Sequence, residues 1–246
     1  MTGAALASSL LYFAVLLALS AYGLHRLHLV ILCRRHREKI ASAAEHAGTV
    51  VPAFPPVSGV RARSNWEATP NAAEGGSSLP MVTVQLPIFN ESTVVERLLR
   101  RVGEMDYPRD RLHIQVLDDS TDETRAIAEA EVERLRRRGY LADYLHRTDR
   151  TGYKAGALEA GLPQAKGDLI AIFDADFLPN RDFLTSLVGH FADPEVGMVQ
   201  ARWAHLNRNA SLLTKIQALM LDGHHMVENR ARYGAGLLFN FSGTGG

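Results

Sequence analysis

The sequence predicts an α/β domain built on a mostly parallel sheet with helices on both faces. From Met81 onward, short apolar runs alternate with amphipathic segments, which is the pattern of repeated strand–helix units. Proline or acidic residues come directly after three of these apolar runs, so the strands are expected to have polar carboxyl ends. An uncharged apolar segment near the N-terminus lies outside this pattern and predicts a membrane helix.

Composition limits the classes of protein to which the chain can belong. It has 246 residues, with 27 Lys and Arg against 27 Asp and Glu, so its formal net charge is zero. A general nucleic-acid-binding domain is normally strongly basic, and we therefore expect no nucleic-acid partner. The single cysteine, Cys33, excludes an internal disulfide framework and a cysteine-cluster zinc site, and it predicts a free thiol.

Residues 4–32 are predicted to form a transmembrane helix with a basic flank. Ala4–Leu24 carries no charged side chain, and at about 1.5 Å per residue it gives a helix of roughly 31 Å, about one hydrocarbon thickness. The basic residues after this segment are Arg26, Arg34, Arg35, Arg37 and Lys39. They predict an anchor in the cell (inner) membrane, with the residues beyond about 33 in the cytoplasm. A cleaved signal peptide with its apolar core at Leu6–Leu19 is the alternative, but it would need basic residues before that core.

Residues 33–80 are predicted to form a flexible cytoplasmic linker ahead of the sheet domain at 81–246. Prolines, glycines and serines are scattered through 41–80 without a sustained apolar period. We therefore assign no secondary structure to that stretch.

The first strand–helix unit of the sheet domain begins at Met81. Met81–Leu86 is an apolar run ended by Pro87, which predicts a buried strand. Glu91–Glu104 places its valines and leucines on one stripe at helical spacing, which predicts an amphipathic helix.

Further strand–helix units are predicted along the rest of the chain. Leu112–Leu117 predicts the second strand, and Ser120 with Glu123 has the pattern of a capping box for a helix that runs to about Arg138. The remaining predicted elements are a strand at Tyr140–Leu145, a helix at Lys154–Leu162, a strand at Leu169–Phe173 and a helix at Arg181–Phe191.

Polar side chains come after three of the predicted strands, where ligands of parallel sheets bind. Asp174 and Asp176 lie just past an apolar strand, and in an extended backbone both carboxylates would face one point. Such a pair suits Mg²⁺ or Mn²⁺, which bind carboxylate and phosphate oxygens and neutralise a diphosphate leaving group. The alternative is a pair of solvated acids that cap the next helix.

Two other strand ends supply candidate ligand contacts. Asp118 and Asp119 can accept hydrogen bonds from a base or ribose, although acids at a helix N-terminus are also favoured by the helix dipole. Lys154 lies at a helix start between two glycines and can meet a phosphate there, and the alternative is an ordinary surface lysine.

The ordered motifs of this chain resemble those of processive family-2 glycosyltransferases, and most closely the cellulose-synthase-like branch that builds glucan, mannan or glucomannan backbones. The motifs are LPIFNE at 86–91, VLDDSTDET at 116–124, GYKAGAL at 152–158, IFDADF at 172–177 and VQARW at 199–203. The resemblance covers about residues 81–246, and five motifs in the same order make it specific.

The resemblance implies a GT-A fold and an inverting transfer of a hexose from UDP-glucose or GDP-mannose to a growing β-linked polysaccharide such as cellulose, mannan or glucomannan. The residues expected to hold the nucleotide sugar are Pro87, Asn90, Glu91, Asp118, Asp119, Lys154 and Asp174. Asp174 and Asp176 would hold Mg²⁺ or Mn²⁺. Gly243, Thr244 and Gly245, in the segment FSGTGG at 241–246, resemble the family's loop beside the acceptor sugar.

The family's general base and its Gln-x-x-Arg-Trp acceptor motif are expected beyond Gly246, so we expect the chain to be a fragment of a longer enzyme whose domain is incomplete at the C-terminus. A dolichol- or polyprenyl-phosphate-sugar synthase and a non-catalytic nucleotide-sugar-binding membrane protein are alternatives. A HAD-type phosphatase, whose nucleophile also lies in an Asp-x-Asp pair, would place that pair early in its core domain, whereas here at least two strands precede Asp174.

Overall fold

A computed structural model describes residues 3–40, 50–52 and 79–246. Most of the predicted linker, at 41–49 and 53–78, lies outside the described residues. The chain divides into two compact units, and each has its own organisation. The first unit contains Met1–Val51 and Arg202–Phe239, and the second contains Pro52–Ala201 and Asn240–Gly246.

Strands and helices alternate through most of the described chain. The strands are β1 Val50–Pro52, β2 Val82–Ile88, β3 Leu112–Asp118, β4 Leu141–His146, β5 Leu169–Ile172 and β6 Val199–Ala201. The α-helices are α1 Gly3–Arg35, α2 Val95–Val102, α3 Thr124–Arg137, α4 Tyr153–Gly161, α5 Phe183–Leu187, α6 Leu212–Asp222 and α7 Arg230–Gly234. A π-helix at Gly223–Asn229 joins α6 to α7, and 3₁₀ turns occur at Arg109–Arg111, Leu162–Gln164 and Val188–Ala192.

Helix α1 dominates the first unit. Its segment Leu10–Arg35 is long and apolar enough to cross a membrane, and its large apolar side chains from Leu10 to Leu27 are exposed. Exposed apolar residues on a long helix fit a lipid environment better than water. The predicted N-terminal span is therefore present as a helix of suitable length.

The C-terminal part of α1 packs against the π-helix and α7 within the same unit. Arg26 donates to Glu228 at 2.6 Å, and the Cys33 thiol lies 3.9 Å from the Met226 carbonyl oxygen. Gly234, at the end of α7, lets the backbone lie close to His36 just after α1, because a Cβ at Gly234 would lie 2.7 Å from the His36 Cβ. Cys33 is a free, partly buried thiol. The sequence predicts a free thiol because Cys33 is the single cysteine of the chain.

The second unit is built on a four-stranded sheet with the order β4-β3-β2-β5, in which every pair is parallel. The predicted α/β class with a parallel sheet is confirmed. One face of β2 and β3 packs against α2 and α3 and forms the apolar core. The largest core side chains include Leu86, Leu98, Leu99, Ile114 and Phe173.

The opposite face of β2 and β3 is buried but polar, which the apolar strand patterns did not predict. Gln85 donates through Nε2 to Gln115 Oε1 at 3.0 Å, and Gln115 donates to the Gly161 carbonyl at 3.1 Å. Gln85 also reaches the Leu158 carbonyl at 3.4 Å. These bonds tie α4 to the sheet, so the N-terminal end of α4 lies at a fixed place beside the carboxyl ends of the strands.

Strand β2 continues through Pro87 to Ile88, so the prediction that Pro87 ends the strand is wrong. Alternate residues of a strand direct their backbone groups to opposite neighbours. Ile88 accepts from Asp119 N–H on the β3 side, so Pro87 faces the β5 side, where β5 has already ended opposite Gln85. Proline therefore removes no ladder bond there.

The predicted helices exist, but several are shorter than their apolar patterns indicate. The region predicted as one helix at Arg181–Phe191 is α5 together with a 3₁₀ turn. The predicted capping box at Ser120 does not form, because the Ser120 hydroxyl accepts the Asn90 N–H at 2.9 Å. Instead Asp122 accepts the Thr124 N–H at 3.0 Å at the start of α3.

Candidate active site

Five loops of the second unit meet at the carboxyl edge of the sheet. Three of them come after β2, β3 and β5, one precedes α4, and one is the glycine-rich segment 241–246. Hydrogen bonds and ion pairs connect each of them to at least one of the others. The expectation that strand ends gather the candidate residues agrees with this arrangement.

Asp118 is fully buried at the end of β3. One carboxylate oxygen accepts the Ser120 N–H at 2.8 Å, and the other accepts the Tyr144 hydroxyl at 2.6 Å. Burial, and then the bond to this carboxylate, raises the pKa of Tyr144, so the phenol stays protonated and donates at neutral pH. Asp118 thus shapes the loop that carries its neighbour Asp119.

Asp119 forms a two-pronged ion pair with Arg147, a residue just past β4. The guanidinium donates from Nε at 2.8 Å and from a terminal nitrogen at 2.6 Å to the two carboxylate oxygens. Such bidentate pairs are geometrically specific. Arg147 also donates to the Tyr153 carbonyl at 3.1 Å, so the pair connects the β3 end to the start of α4.

Asn90 adopts a left-handed backbone, with φ of 53°, immediately after β2. Its N–H donates to Ser120, and its side-chain oxygen accepts the Thr121 N–H at 2.9 Å. Asparagine tolerates this conformation better than most residues. Asn90 therefore connects the β2 loop to the β3 loop, whereas Pro87 lies within β2, three residues earlier.

Glu91 lies in the electrostatic field of Asp174 and Asp176. Burial first, and then the charges of Asp176 and Asp174, raise the pKa of the Glu91 carboxyl, while Lys154 opposes the shift. Three carboxylates and one ammonium therefore act on one another in this part of the site.

The Asp174–Asp176 pair lies in a tight turn rather than in extended backbone, so the geometric premise of the sequence argument is wrong. Strand β5 ends at Ile172, and the Phe177 N–H donates to the Asp174 carbonyl at 3.0 Å. Ala175 is buried, whereas Asp174 is half-buried and Asp176 is exposed. The turn thus presents both carboxylates while its alanine fills the core.

Lys154 and the glycine-rich segment meet at Asp174. The Lys154 ammonium pairs with the Asp174 carboxylate and donates to the Gly243 carbonyl at 2.7 Å. Asp174 also donates its backbone N–H to the Thr244 hydroxyl at 2.9 Å. The predicted acceptor-side residues therefore adjoin the predicted metal-binding pair.

The glycine-rich segment bridges β5 and β6. Gly245 donates to the Ile172 carbonyl and accepts from Ala201 N–H, each at 2.8 Å. The buried Gln200 holds the same segment, because it accepts from Ser242 at 2.8 Å and donates to the Thr244 carbonyl at 3.0 Å. The edge of the sheet beside β5 is covered at this point by the chain's own backbone.

Sequence reasoning missed Arg147, Tyr144 and the stacking of Arg150. The Arg150 guanidinium lies 3.2 Å from the centroid of the Phe89 ring, directly after β2. Tyr144 and Arg147 lie at the end of β4, a strand whose weak apolar pattern drew no attention to the residues after it. The rule that residues after parallel strands share one edge would have found them.

The residues present fit a hard divalent cation of the Mg²⁺ or Mn²⁺ kind. Across 3–40, 50–52 and 79–246, no group of three or more His, Cys, Asp or Glu side chains forms a ready metal centre. Two carboxylates beside an open edge instead suit a cation that takes its other ligands from phosphate oxygens and water. Asp174 and Asp176 are the side chains that would hold it.

Comparison with known proteins identifies one family. Residues 83–239 match the model of the family described as Glycosyl transferase family 2. The chain is 40% identical over 191 residues to "Probable glucomannan 4-beta-mannosyltransferase 7" of Oryza sativa subsp. japonica, covering 75% of this chain and 33% of that protein. It is 41% identical over 177 residues to "Glucomannan 4-beta-mannosyltransferase 9" of Arabidopsis thaliana, covering 70% and 33%.

The chain thus spans about a third of the length of the curated relatives it matches. Among solved structures, it is 30% identical to "Mannosyltransferase PcManGT from Pyrobaculum calidifontis in complex with GDP-Man and Mn2+". That comparison has a TM-score of 0.45 and covers 69% of this chain and 44% of the other.

Proposed function

Because the chain belongs to glycosyl transferase family 2, we propose that it forms the donor-binding part of a membrane-anchored inverting hexosyltransferase with a GT-A fold. The enzyme uses UDP-glucose or GDP-mannose and extends a β-linked polysaccharide such as cellulose, mannan or glucomannan. The convergence of Lys154, Asp174 and Gly243 at the carboxyl edge of the parallel sheet is the observation that carries this proposal.

The nucleoside end of the donor lies along the β2 and β3 ends in this proposal. Each oxygen of Asp119 has a second lone pair for a ribose or base donor, and the fully buried Asp118 supports it by holding the loop that carries it. Their fixed orientation lowers the cost of binding, since no side chain has to be ordered when the nucleoside arrives. Asn90 keeps the neighbouring loop in place.

The diphosphate end lies between Lys154 and the Asp174–Asp176 turn. Asp174 and Asp176 hold Mg²⁺ or Mn²⁺, which when bound neutralises charge on the diphosphate leaving group. The Lys154 ammonium, which pairs with Asp174, adds a donor and a positive charge beside the turn. Glu91 borders the same place, and the charges of Asp176 and Asp174 that raise the pKa of its carboxyl also favour a divalent cation over an anion there.

The acceptor end lies beside Gly243, Thr244 and Gly245. Gly243 and Gly245 have positive φ angles of 84° and 70°, and glycines leave room for a sugar to approach the backbone. The acceptor is a growing glycan.

The proposed organisation is a membrane span and basic flank at 4–32, a linker at 33–80 and a transferase domain at 81–246. The lipid bilayer is a partner through α1, and the domain lies on the cytoplasmic side, where nucleotide sugars are available. The basic residues after the apolar segment support this orientation.

The proposal is tested in membranes from cells that express the protein. Radiolabelled UDP-glucose or GDP-mannose is supplied with Mg²⁺ or Mn²⁺, and nucleoside diphosphate release and labelled polymer are measured. We expect turnover of one donor with the unmodified protein, and none with Asp174→Asn at equal membrane abundance. Absence of turnover with both donors and both metals would contradict the proposal.

A further inference from the structure

Lys154 makes two contacts that join separate parts of the proposed site. Its ammonium pairs with the Asp174 carboxylate and donates to the Gly243 carbonyl at 2.7 Å. Asp174 belongs to the proposed metal-binding pair, and Gly243 belongs to the acceptor-side segment. One side chain therefore connects the donor end and the acceptor end of the proposed site.

The backbone before α4 directs Lys154 to this place. Gly152 and Tyr153 have positive φ angles of 75° and 49°, and Tyr153 is one of two described non-glycine residues with this conformation. This conformation is unfavourable for a non-glycine residue and persists only when its surroundings impose it. Here a bond from Tyr153 N–H to the Arg150 carbonyl and another from Arg147 to the Tyr153 carbonyl impose it.

Gly243 is held differently from its neighbours in the glycine-rich segment. Ser242 and Thr244 are bound by the buried Gln200, and Gly245 is bound to the β5 backbone. The Gly243 carbonyl is instead bound to the tip of a side chain that is about 37% exposed. Loss of the lysine contact would therefore free the peptide at Gly243 without detaching the rest of the segment.

We infer that Lys154 is a positioning residue that pairs with Asp174 and holds the Gly243 carbonyl, and that a divalent cation competes with its ammonium for Asp174. Cation binding and the position of the acceptor-side peptide are then coupled. This inference rests on the proposed function, because it takes Asp174 as a metal ligand. The freed ammonium remains within reach of the diphosphate, so its charge stays in the site.

The test uses Mn²⁺ alone with the 246-residue chain in detergent, and it measures Mn²⁺ affinity by electron paramagnetic resonance. The variants are Lys154→Met, Lys154→Arg and the control Lys166→Met, which removes an exposed lysine of the same unit. We expect Lys154→Met to bind Mn²⁺ about tenfold more tightly, because a competing positive charge is gone. Lys154→Arg and Lys166→Met are expected to stay within about threefold of the unmodified chain, since both retain a cation beside Asp174.

Hydrogen exchange of the Thr244 amide, which shares its peptide group with the Gly243 carbonyl, is the second readout. Mn²⁺ should speed exchange in the unmodified chain, whereas Lys154→Met should exchange fast with or without Mn²⁺. Equal Mn²⁺ affinity and equal exchange in all four proteins would overturn this inference and leave the proposed function standing. Failure of every protein to bind Mn²⁺ would overturn both the inference and the metal assignment of the proposed function.

Discussion

Replacing Arg147 by methionine should destabilise the sheet edge that carries the proposed nucleoside site. The substitution removes both prongs of the ion pair with Asp119 and keeps a long side chain for packing. It leaves the Asp119 carboxylate, whose side chain is 4% exposed, buried without its counter-charge.

The magnitude of the expected loss depends on that burial. Removing one partner of a buried ion pair typically costs about 3–5 kcal/mol, because the remaining charge is uncompensated. The Arg147 side chain is 21% exposed, so water can reach part of the space that it vacates. We therefore expect the free energy of opening this part of the sheet to fall by about 2–3 kcal/mol. Amides that exchange only when it opens should then exchange about 50-fold faster.

The assay is native-state hydrogen exchange of the β3 and β4 amides in the detergent-solubilised chain. Arg147→Lys should show an intermediate loss, because lysine keeps the charge but not the two-pronged geometry. Arg137→Met, which removes an exposed arginine from α3, should leave exchange unchanged. Exchange in Arg147→Met within about threefold of the unmodified chain would refute the reasoning, since ~0.7 kcal/mol is too little for a buried unpaired charge.

Two further predictions concern a loop and a buried histidine. Gly156→Ala should lower the melting temperature by several degrees, because the new Cβ would lie 2.1 Å from a backbone oxygen of the preceding loop. The control is Gly189→Ala, because a Cβ at Gly189 would have no atom within 4 Å. Burial, aided by His224 and Arg202, lowers the pKa of His225 from 6.5 to about 4. The neutral ring is favoured by folding, so stability is full above pH 6.5 and falls by up to about 3 kcal/mol as the pH drops toward 4. Circular dichroism melts between pH 7 and 4.5 should show this loss, and His225→Gln should reduce it; a loss of the same size in that variant would contradict the assignment.

The order of elements could be predicted from the sequence because strand and helix periodicities differ. Leu112–Leu117 and Leu169–Phe173 are confirmed as strands to within one residue, since β-rich apolar runs bounded by polar residues have few other solutions in a parallel sheet. Glu91–Glu104 overestimates α2 at both ends, because the residues just before Val95 and just after Val102 form hydrogen-bonded turns instead of helix.

Side-chain pairing could not be predicted from one sequence. Ser120 looks like a helix cap, but a competing partner, Asn90, reaches it from another strand. Gln85 and Gln115 are polar residues within apolar runs of the sequence. Only the strand register, which places them side by side on β2 and β3, shows that they form a hydrogen bond with each other. A local sequence pattern indicates which hydrogen bonds a side chain can form, and the tertiary fold determines which of the possible partners lies within reach.

In the candidate site too, the residues at predicted strand ends were found from the sequence, and their pairing partners were not. The acidic residues after β3 and β5 were identified because strand order places them at one edge, whereas Arg147 was missed although it lies just past β4. In the first unit, the helices of 202–239 group with α1. Such grouping depends on contacts between distant segments, such as Arg26 with Glu228.

Metal-dependent nucleotide binding is the measurement that tests the central claim most directly. GDP and UDP are titrated by calorimetry into the 246-residue chain in detergent, with and without Mn²⁺, and the titrations are repeated with Asp176→Asn. We expect one nucleotide to bind in the presence of Mn²⁺ and to bind at least about 100-fold more weakly in Asp176→Asn. Removing a residue that only supports a metal ligand already weakens metal binding by about 10–100-fold, and removing the ligand itself should weaken it more. Equal binding by the unmodified chain and Asp176→Asn would contradict the account.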